Sequence, residues 1–245
     1  MTAVLEATGL RKVFRGGDGS LIEVLSAVDL SVSRGEFVTI MGSSGAGKST
    51  LLHLLGALDQ PSSGAVRLEG IDYTARSPAA LAEMRNRKIG FVFQFHHLLR
   101  EFNALENVMM PLLIGGSSEA HARSKAEELL AAVGLAGRMT HRPAQLSGGE
   151  QQRVAVARAL VADPVVVLAD EPSGNLDHFN GERLHELFAT LSREFETALV
   201  AVTHNWMLAS RADRVLLLEE GKLVPHNRDA TASPSDGSVP GARPL

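Results

Sequence analysis

The chain has no cysteine. It therefore has neither a disulfide framework nor a thiolate metal site, a composition compatible with the cytosol. Aromatics are scarce, with one Trp and one Tyr in 245 residues, and the net charge is −4. So little stacking surface and so little positive charge argue against nucleic acid as a partner. No uncharged apolar run reaches the roughly 18 residues of a transmembrane helix. The opening Met1-Thr2-Ala3-Val4-Leu5-Glu6 lacks a basic n-region and a long apolar h-region, so no signal peptide is expected. What remains is 44% hydrophobic and 21% charged, ordinary for a globular protein able to bury a full core. That length suits one large domain or two modest ones.

The most informative stretch is Gly42-Ser43-Ser44-Gly45-Ala46-Gly47-Lys48-Ser49-Thr50. It fits G-x-x-x-x-G-K-[ST], the phosphate-binding P-loop. Glu36 to Met41 ahead of it reads as a strand, and Thr50 to Leu58 behind it as a Leu-rich helix. Polyphosphate oxygens need many donors close together. Glycines let backbone N–H groups converge, and a helix start adds its positive dipole end. Lys48 supplies a point charge to the β- and γ-phosphates, and the Ser49 hydroxyl can ligate Mg²⁺. The motif implies nucleoside triphosphate binding without saying to what end.

Residues 4–14 and 21–32 read as strands joined by Gly16-Gly17-Asp18-Gly19-Ser20. Phe14 can stack on an adenine face or serve as a core aromatic. Two short strands follow around Glu69-Gly70. Ser77-Pro78 opens a helix to about Arg87, and Ile89 to Phe93 is a buried strand ending at Gln94. Residues 95–145 read as mostly helical, with helices over Ala104–Leu113 and Ser118–Val133, the latter ended by Gly134. This block interrupts a strand-helix alternation, so a helical subdomain over about 95–160 is expected inside an α/β core. Strands at 165–169 and 198–203 flank a helix at 179–194, and a hairpin turns at Glu220-Gly221. The tail 225–245, rich in Pro, Gly, Ser and Asp, is expected to be disordered.

Two further signals carry chemistry. The apolar run Val165 to Ala169 ends in Asp170-Glu171. At the C-terminal end of a central strand, Asp170 would hold Mg²⁺ and Glu171 would polarise the attacking water. Leu146-Ser147-Gly148-Gly149-Glu150 can be a plain capping box, Ser147 with Glu150. Yet Gly148 and Gly149 weaken a first helical turn, which suits a helix start that must approach an anion closely.

These motifs, with Gln94, Ser173-Gly174-Asn175-Leu176-Asp177 and His204, stand in the order of an ATP-binding-cassette ATPase, which the chain resembles over residues 4–224. The resemblance implies a P-loop NTPase core with an N-terminal antiparallel β subdomain and an inserted helical subdomain. It implies ATP and Mg²⁺ held between two cassettes packed head to tail, the P-loop of one closed by Ser147, Gly148 and Gly149 of the other. Gln94 would touch Mg²⁺ and the water, His204 the γ-phosphate, and Asp177 would couple the sites. With one P-loop and one signature per chain, a second copy is required. Phe14 stands where many cassettes carry Tyr, Asn205 where Asp is usual, and Ser173 where Thr is common.

Phe93-Gln94-Phe95-His96-His97-Leu98-Leu99 and Ala104 to Leu113 bring a closer resemblance, to the lipoprotein-releasing branch rather than to macrolide-export or cell-division cassettes. That resemblance implies a peripheral ATPase on the cytoplasmic face of the bacterial inner membrane. Its partners would be integral membrane subunits resembling LolC and LolE, with lipoprotein as indirect cargo. The stretch after Gln94 would help receive a coupling helix. An efflux or cell-division complex is the alternative, and a soluble cassette acting on ribosomes or DNA, or a non-hydrolytic dimer, stands further off.

Overall fold

Two sheets carry the chain. The computed structural model describes residues 3–74 and 76–226, without the side chains of residues 191–193. The smaller sheet is antiparallel, in the order β2 (Leu21–Ser33), β1 (Ala3–Arg15), β4 (Ser63–Leu68), β5 (Ile71–Asp72). The larger has the order β10 (Lys222–Pro225), β9 (Arg214–Glu219), β3 (Phe37–Met41), β8 (Ala198–Thr203), β7 (Val166–Asp170), β6 (Ile89–Phe93). All its pairings are parallel except the β9–β10 hairpin.

The residue types explain this arrangement. Val28, Leu30 and Val32 of β2 are buried while Asp29 and Ser31 are exposed, the alternation of a sheet with one wet face. Every residue of β8 is buried, and so are the first four of β7 and of β3. Such strands need cover on both faces. One core packs α1 (Lys48–Leu55) and the antiparallel sheet through Leu51, Leu52, Leu5 and Leu25. The other packs α3 (Ala104–Ile114), α4 (Glu119–Ala132) and α5 (Gly148–Leu160) through Val108, Leu129, Leu130 and Val154.

Helix boundaries follow capping chemistry. Ser77 Oγ accepts the Ala80 N–H, and Pro78 opens α2 (Pro78–Lys88). Asn103 and Glu106 form a capping box on α3. Gly134, at φ 75°, ends the turn after α4.

Strand register lines up the chemistry. Met41 pairs with Thr203, Val202 with Asp170, and Asp170 with Phe93. The P-loop, His204, Glu171 and Gln94 each follow one of these strand ends, so they leave the sheet along one edge.

The block 95–145 is mostly helical as expected, and three details sharpen the sequence reading. Residues 95–103 are not helical. The fully buried Asn107 holds this loop, taking the Leu99 N–H at 2.8 Å and donating to the carbonyls of Leu99, Phe102 and Asn103. Between α4 and α5 lie only 3₁₀ turns at Ala136–Arg138 and Pro143–Gln145. The tail begins later than expected, because Pro225 closes β10 and the His226 N–H bonds to Val215 O. Residues 227–245, where its disorder was expected, lie outside the described residues.

Candidate functional site

At the P-loop, α1 starts with no side-chain cap and no acid in its first turn. Its cap position is Gly47, at φ 98°. A Cβ there would meet Val24 Cγ1 at 2.8 Å, and one on Gly42 would meet Leu218 O at 2.8 Å. The loop is thus wedged between β2 and β9, and only glycine fits at either point. Lys48, 9% exposed, donates from Nζ to the carbonyls of Gly42 at 2.8 Å and Ser43 at 3.0 Å.

Asp170 ends β7. Burial pushes its carboxyl above the usual carboxylate range, against the pull of a hydrogen bond from Ser49. The next residue, Glu171, sits at φ 42°, a strained conformation for a side chain of its size. Its carboxylate is held on three sides. The Thr203 hydroxyl donates to Oε2 at 2.8 Å, the His204 N–H to Oε1 at 3.1 Å, and His204 Nδ1 lies 2.8 Å from Oε1. Against an ionised Glu171, the hydrogen of this contact sits on His204 Nδ1. Glu171 is largely shielded while His204 is open to solvent.

Gln94 Nε2 donates to Asn175 Oδ1 at 3.1 Å, and Asn175 Nδ2 returns a bond of 3.1 Å to Gln94 O. A cleft of about 720 Å³ opens beside these groups. Its walls include Gly42 to Gly45, Gly47 to Thr50, Gln94, Asp170, Glu171 and His204, and also Val24. Ala46 and Phe14 are not in the lining. Phe14 stands half-exposed on β1 with Lys12 Nζ 5.0 Å from its ring centre.

Ser147, Gly148, Gly149 and Asp177 lie outside this cleft. Ser147 and Glu150 cap α5 reciprocally, and Arg138 pairs with Glu150 at 3.0 Å. The backbone bonds to Ser147 lead the effects that hold the Glu150 carboxyl below the usual range. The two glycines differ. Around Gly148 a Cβ would meet only Leu176 Cδ2 at 3.9 Å, whereas at Gly149 it would strike Asn180 Oδ1 at 2.7 Å. Asp177 in turn caps α6 (His178–Glu194), accepting the Asn180 N–H at 3.0 Å and its amide at 2.6 Å. Gly149 is therefore small for packing within this chain, while Gly148 faces open space.

The donor set around the P-loop fits Mg²⁺. Ser49, Asp170 and Gln94 offer hard oxygens. No cluster of three or more His, Cys, Asp or Glu able to hold a metal occurs among the described residues, so a cation here relies on phosphate oxygens and water as well.

Sequence reasoning passed over Val24, Thr203 and Asn180. Val24 carries no chemical signature. Asn180 is 31 positions from the glycine it crowds, which no local pattern reveals.

A P-loop and a carboxylate pair leaving one edge of a largely parallel sheet define a nucleoside triphosphatase. The chain belongs to the ABC transporter family, whose pattern it matches over residues 25–174, and it is an ATP-hydrolysing cassette. It is similar to the lipoprotein-releasing system ATP-binding protein LolD of Geobacter metallireducens, 52% identical over 91% of this chain and 99% of that one. The protein of the same description from Bordetella pertussis is 55% identical over 90% and 95%. Among solved structures it resembles the dimeric, ADP- and Pi-bound post-hydrolysis state of the cassette MJ0796. The TM-score is 0.82, with 38% identity over 89% of this chain and 96% of that one.

Proposed function

We propose that the chain is the ATPase subunit of a lipoprotein-releasing complex, working as a head-to-tail dimer on the cytoplasmic face of the inner membrane. The observation that carries the site reading is the division of the motifs. Lys48, Ser49, Gln94, Asp170, Glu171 and His204 line one cleft, and Ser147, Gly148 and Asp177 do not. A second chain brings its α5 start to the first chain's γ-phosphate. Gly148 and Ser147 face it, and Asp177 touches the opposite site.

ATP lies on the P-loop N–H groups, with Lys48 released from the Gly42 and Ser43 carbonyls to the β- and γ-phosphates. Phe14 stacks on the adenine. Ser49, Asp170 and Gln94 would hold Mg²⁺, which would neutralise phosphate charge. Glu171 takes the proton of the attacking water, and His204 holds both Glu171 and the γ-phosphate. The three donors on Glu171 fix its carboxylate from within the chain, so little reorganisation is left to the reaction.

The region 95–160 serves as the helical subdomain and, together with α2 and β6, presents a groove of about 410 Å³ whose walls include Phe91, Phe93, Leu99, Met110, Pro111 and Ile114. This groove receives a coupling helix of integral subunits of the LolC and LolE kind. The cargo assignment is supported by relatives 51–55% identical over about nine-tenths of the chain. No helix among the described residues is long and apolar enough to cross a membrane, so the work on lipid falls to those subunits.

The test is to purify the Glu171→Gln chain with ATP from detergent-solubilised native membranes. The variant should bind ATP, turn over roughly 10²- to 10⁴-fold more slowly, and bring down a membrane pair together with lipoproteins. Near-normal turnover would reject Glu171 as the base. A different membrane subunit would replace the cargo and leave the ATPase mechanism standing.

A further inference from the structure

One side chain of the signature helix has no role in the scheme above. Gln152 lies on α5, one turn past the glycines, and is fully buried. Its Nε2 donates to Pro172 O at 2.7 Å and to Phe93 O at 3.3 Å. Pro172 follows Glu171, and Phe93 precedes Gln94. A single amide thus ties α5 to the backbone beside two proposed site residues. Its Oε1 is buried without a partner. A buried, half-satisfied amide costs stability relative to an apolar side chain of the same size. Packing alone does not account for it.

Asn175 grips the same neighbour from the other side. Its amide bonds to the Gln94 side chain and main-chain carbonyl in a reciprocal pair. Between them lies Gly174, where a Cβ would meet Gln94 Nε2 at 2.9 Å and Glu171 O at 3.3 Å. Gln94 is therefore held at its preceding residue by α5 and at its own amide and carbonyl by the loop before α6.

We propose that Gln152 and Asn175 are positioning residues for Gln94: together they set where its amide stands in the cleft and make that position depend on α5 and on the loop carrying Asp177. The proposal rests on the reading of Gln94 as the residue that meets Mg²⁺ and the attacking water. A shift of α5, or of the Asp177 loop at the face toward a second chain, moves Gln94 without touching the P-loop.

The test measures Mg²⁺-dependent ATP turnover by the full chain carrying Asn175→Ala, Gln94→Ala or both. Asn175 is exposed, so the substitution leaves the core intact. One hydrogen bond of this kind is worth roughly a two- to tenfold change. Asn175→Ala should lower kcat by that factor and raise the Mg²⁺ concentration for half-maximal rate, with KM for ATP within about twofold. In the Gln94→Ala background it should add nothing. Full activity of Asn175→Ala, or additive losses in the double variant, would overturn the proposal while Gln94 kept its role. An inert Gln94→Ala would instead overturn the reading of Gln94, and the proposal with it. Gln152→Met keeps the volume and removes both donors. Reduced kcat at unchanged KM and an unchanged or higher melting temperature supports its part. Unchanged kcat with any change in melting reduces Gln152 to a core residue and overturns that part.

Discussion

Two helix starts in this molecule serve one chemistry in opposite ways. The first turn of α1 is stripped of its own partners: its cap is a glycine, no side chain caps it, and no acid stands in it. The first turn of α5 is furnished with them, Ser147 and Glu150 satisfying each other and Arg138 balancing the acid. A bare start has N–H groups for an anion to satisfy, so it forms a binding site within a single chain. A furnished start is stable by itself and leaves only the Gly148 and Gly149 N–H groups and the Ser147 hydroxyl proton to offer. The α1 start fits a part that must bind ATP in every chain, the α5 start a part that meets ATP only when a second chain arrives.

The largest effect that tests this contrast belongs to Lys48. Truncating one partner of a buried charge pair costs about 2–5 kcal/mol, so Lys48→Ala should weaken ATP binding at least about 30-fold in calorimetry. Unchanged affinity would mean that α1 is no anion site. Next come the paired glycines. Gly149→Ala forces a methyl against Asn180, and overpacking of about 1–3 kcal/mol should lower the melting temperature by several degrees. Gly148→Ala enters open space and should melt at or slightly above the parent, yet lose turnover by about tenfold or more, because in the proposed dimer that space belongs to the opposite chain's nucleotide. If Gly148→Ala keeps full turnover, the α5 start is only a helix start.

The smallest effect concerns Asp170. Its folded-state pKa is raised by burial, so the native chain binds more protons than the unfolded one between the two values. Stability therefore falls as pH rises through that window, starting from the ordinary value of 3.8. Asp170→Asn should melt higher at neutral pH and lose that gain below the same value. A variant less stable at neutral pH would show that the carboxylate supports the fold.

Much of this was legible in the chain. The run Val165 to Ala169 is typical of a strand buried on both faces, and Ser77-Pro78 specifies a helix start by two independent effects. The meeting of Lys48, Asp170, Glu171 and His204 in one cleft was legible too, since the P-loop, Asp170-Glu171 and His204 stand at or just past strand ends. What escaped was set by contacts distant in sequence. The 95–103 loop has apolar residues enough for a helix, but Asn107 and Arg158 bind its carbonyls first, the latter at His96 and His97. The four-residue helix α7, Trp206–Ala209, is too short to show a period. Gly149 read as an opening for an anion, and its packing against Asn180 is invisible without α6 in place.

The wedging of the P-loop has a consequence for exchange with solvent water. Gly47 abuts β2 and Gly42 abuts β9, and the Ser26 N–H closes onto Gly221 O at 2.8 Å just beside them. The loop's backbone cannot lift without parting both sheets. The bonded amide at the foot of the loop, Leu51 N–H onto Gly47 O at 2.9 Å, should therefore trade hydrogen for deuterium only when the chain opens, whereas the cleft-facing N–H groups meet water directly. The α5 start, held by its own cap, should exchange by fraying. The phosphate cradle is thus shaped by the packing of the two sheets around it.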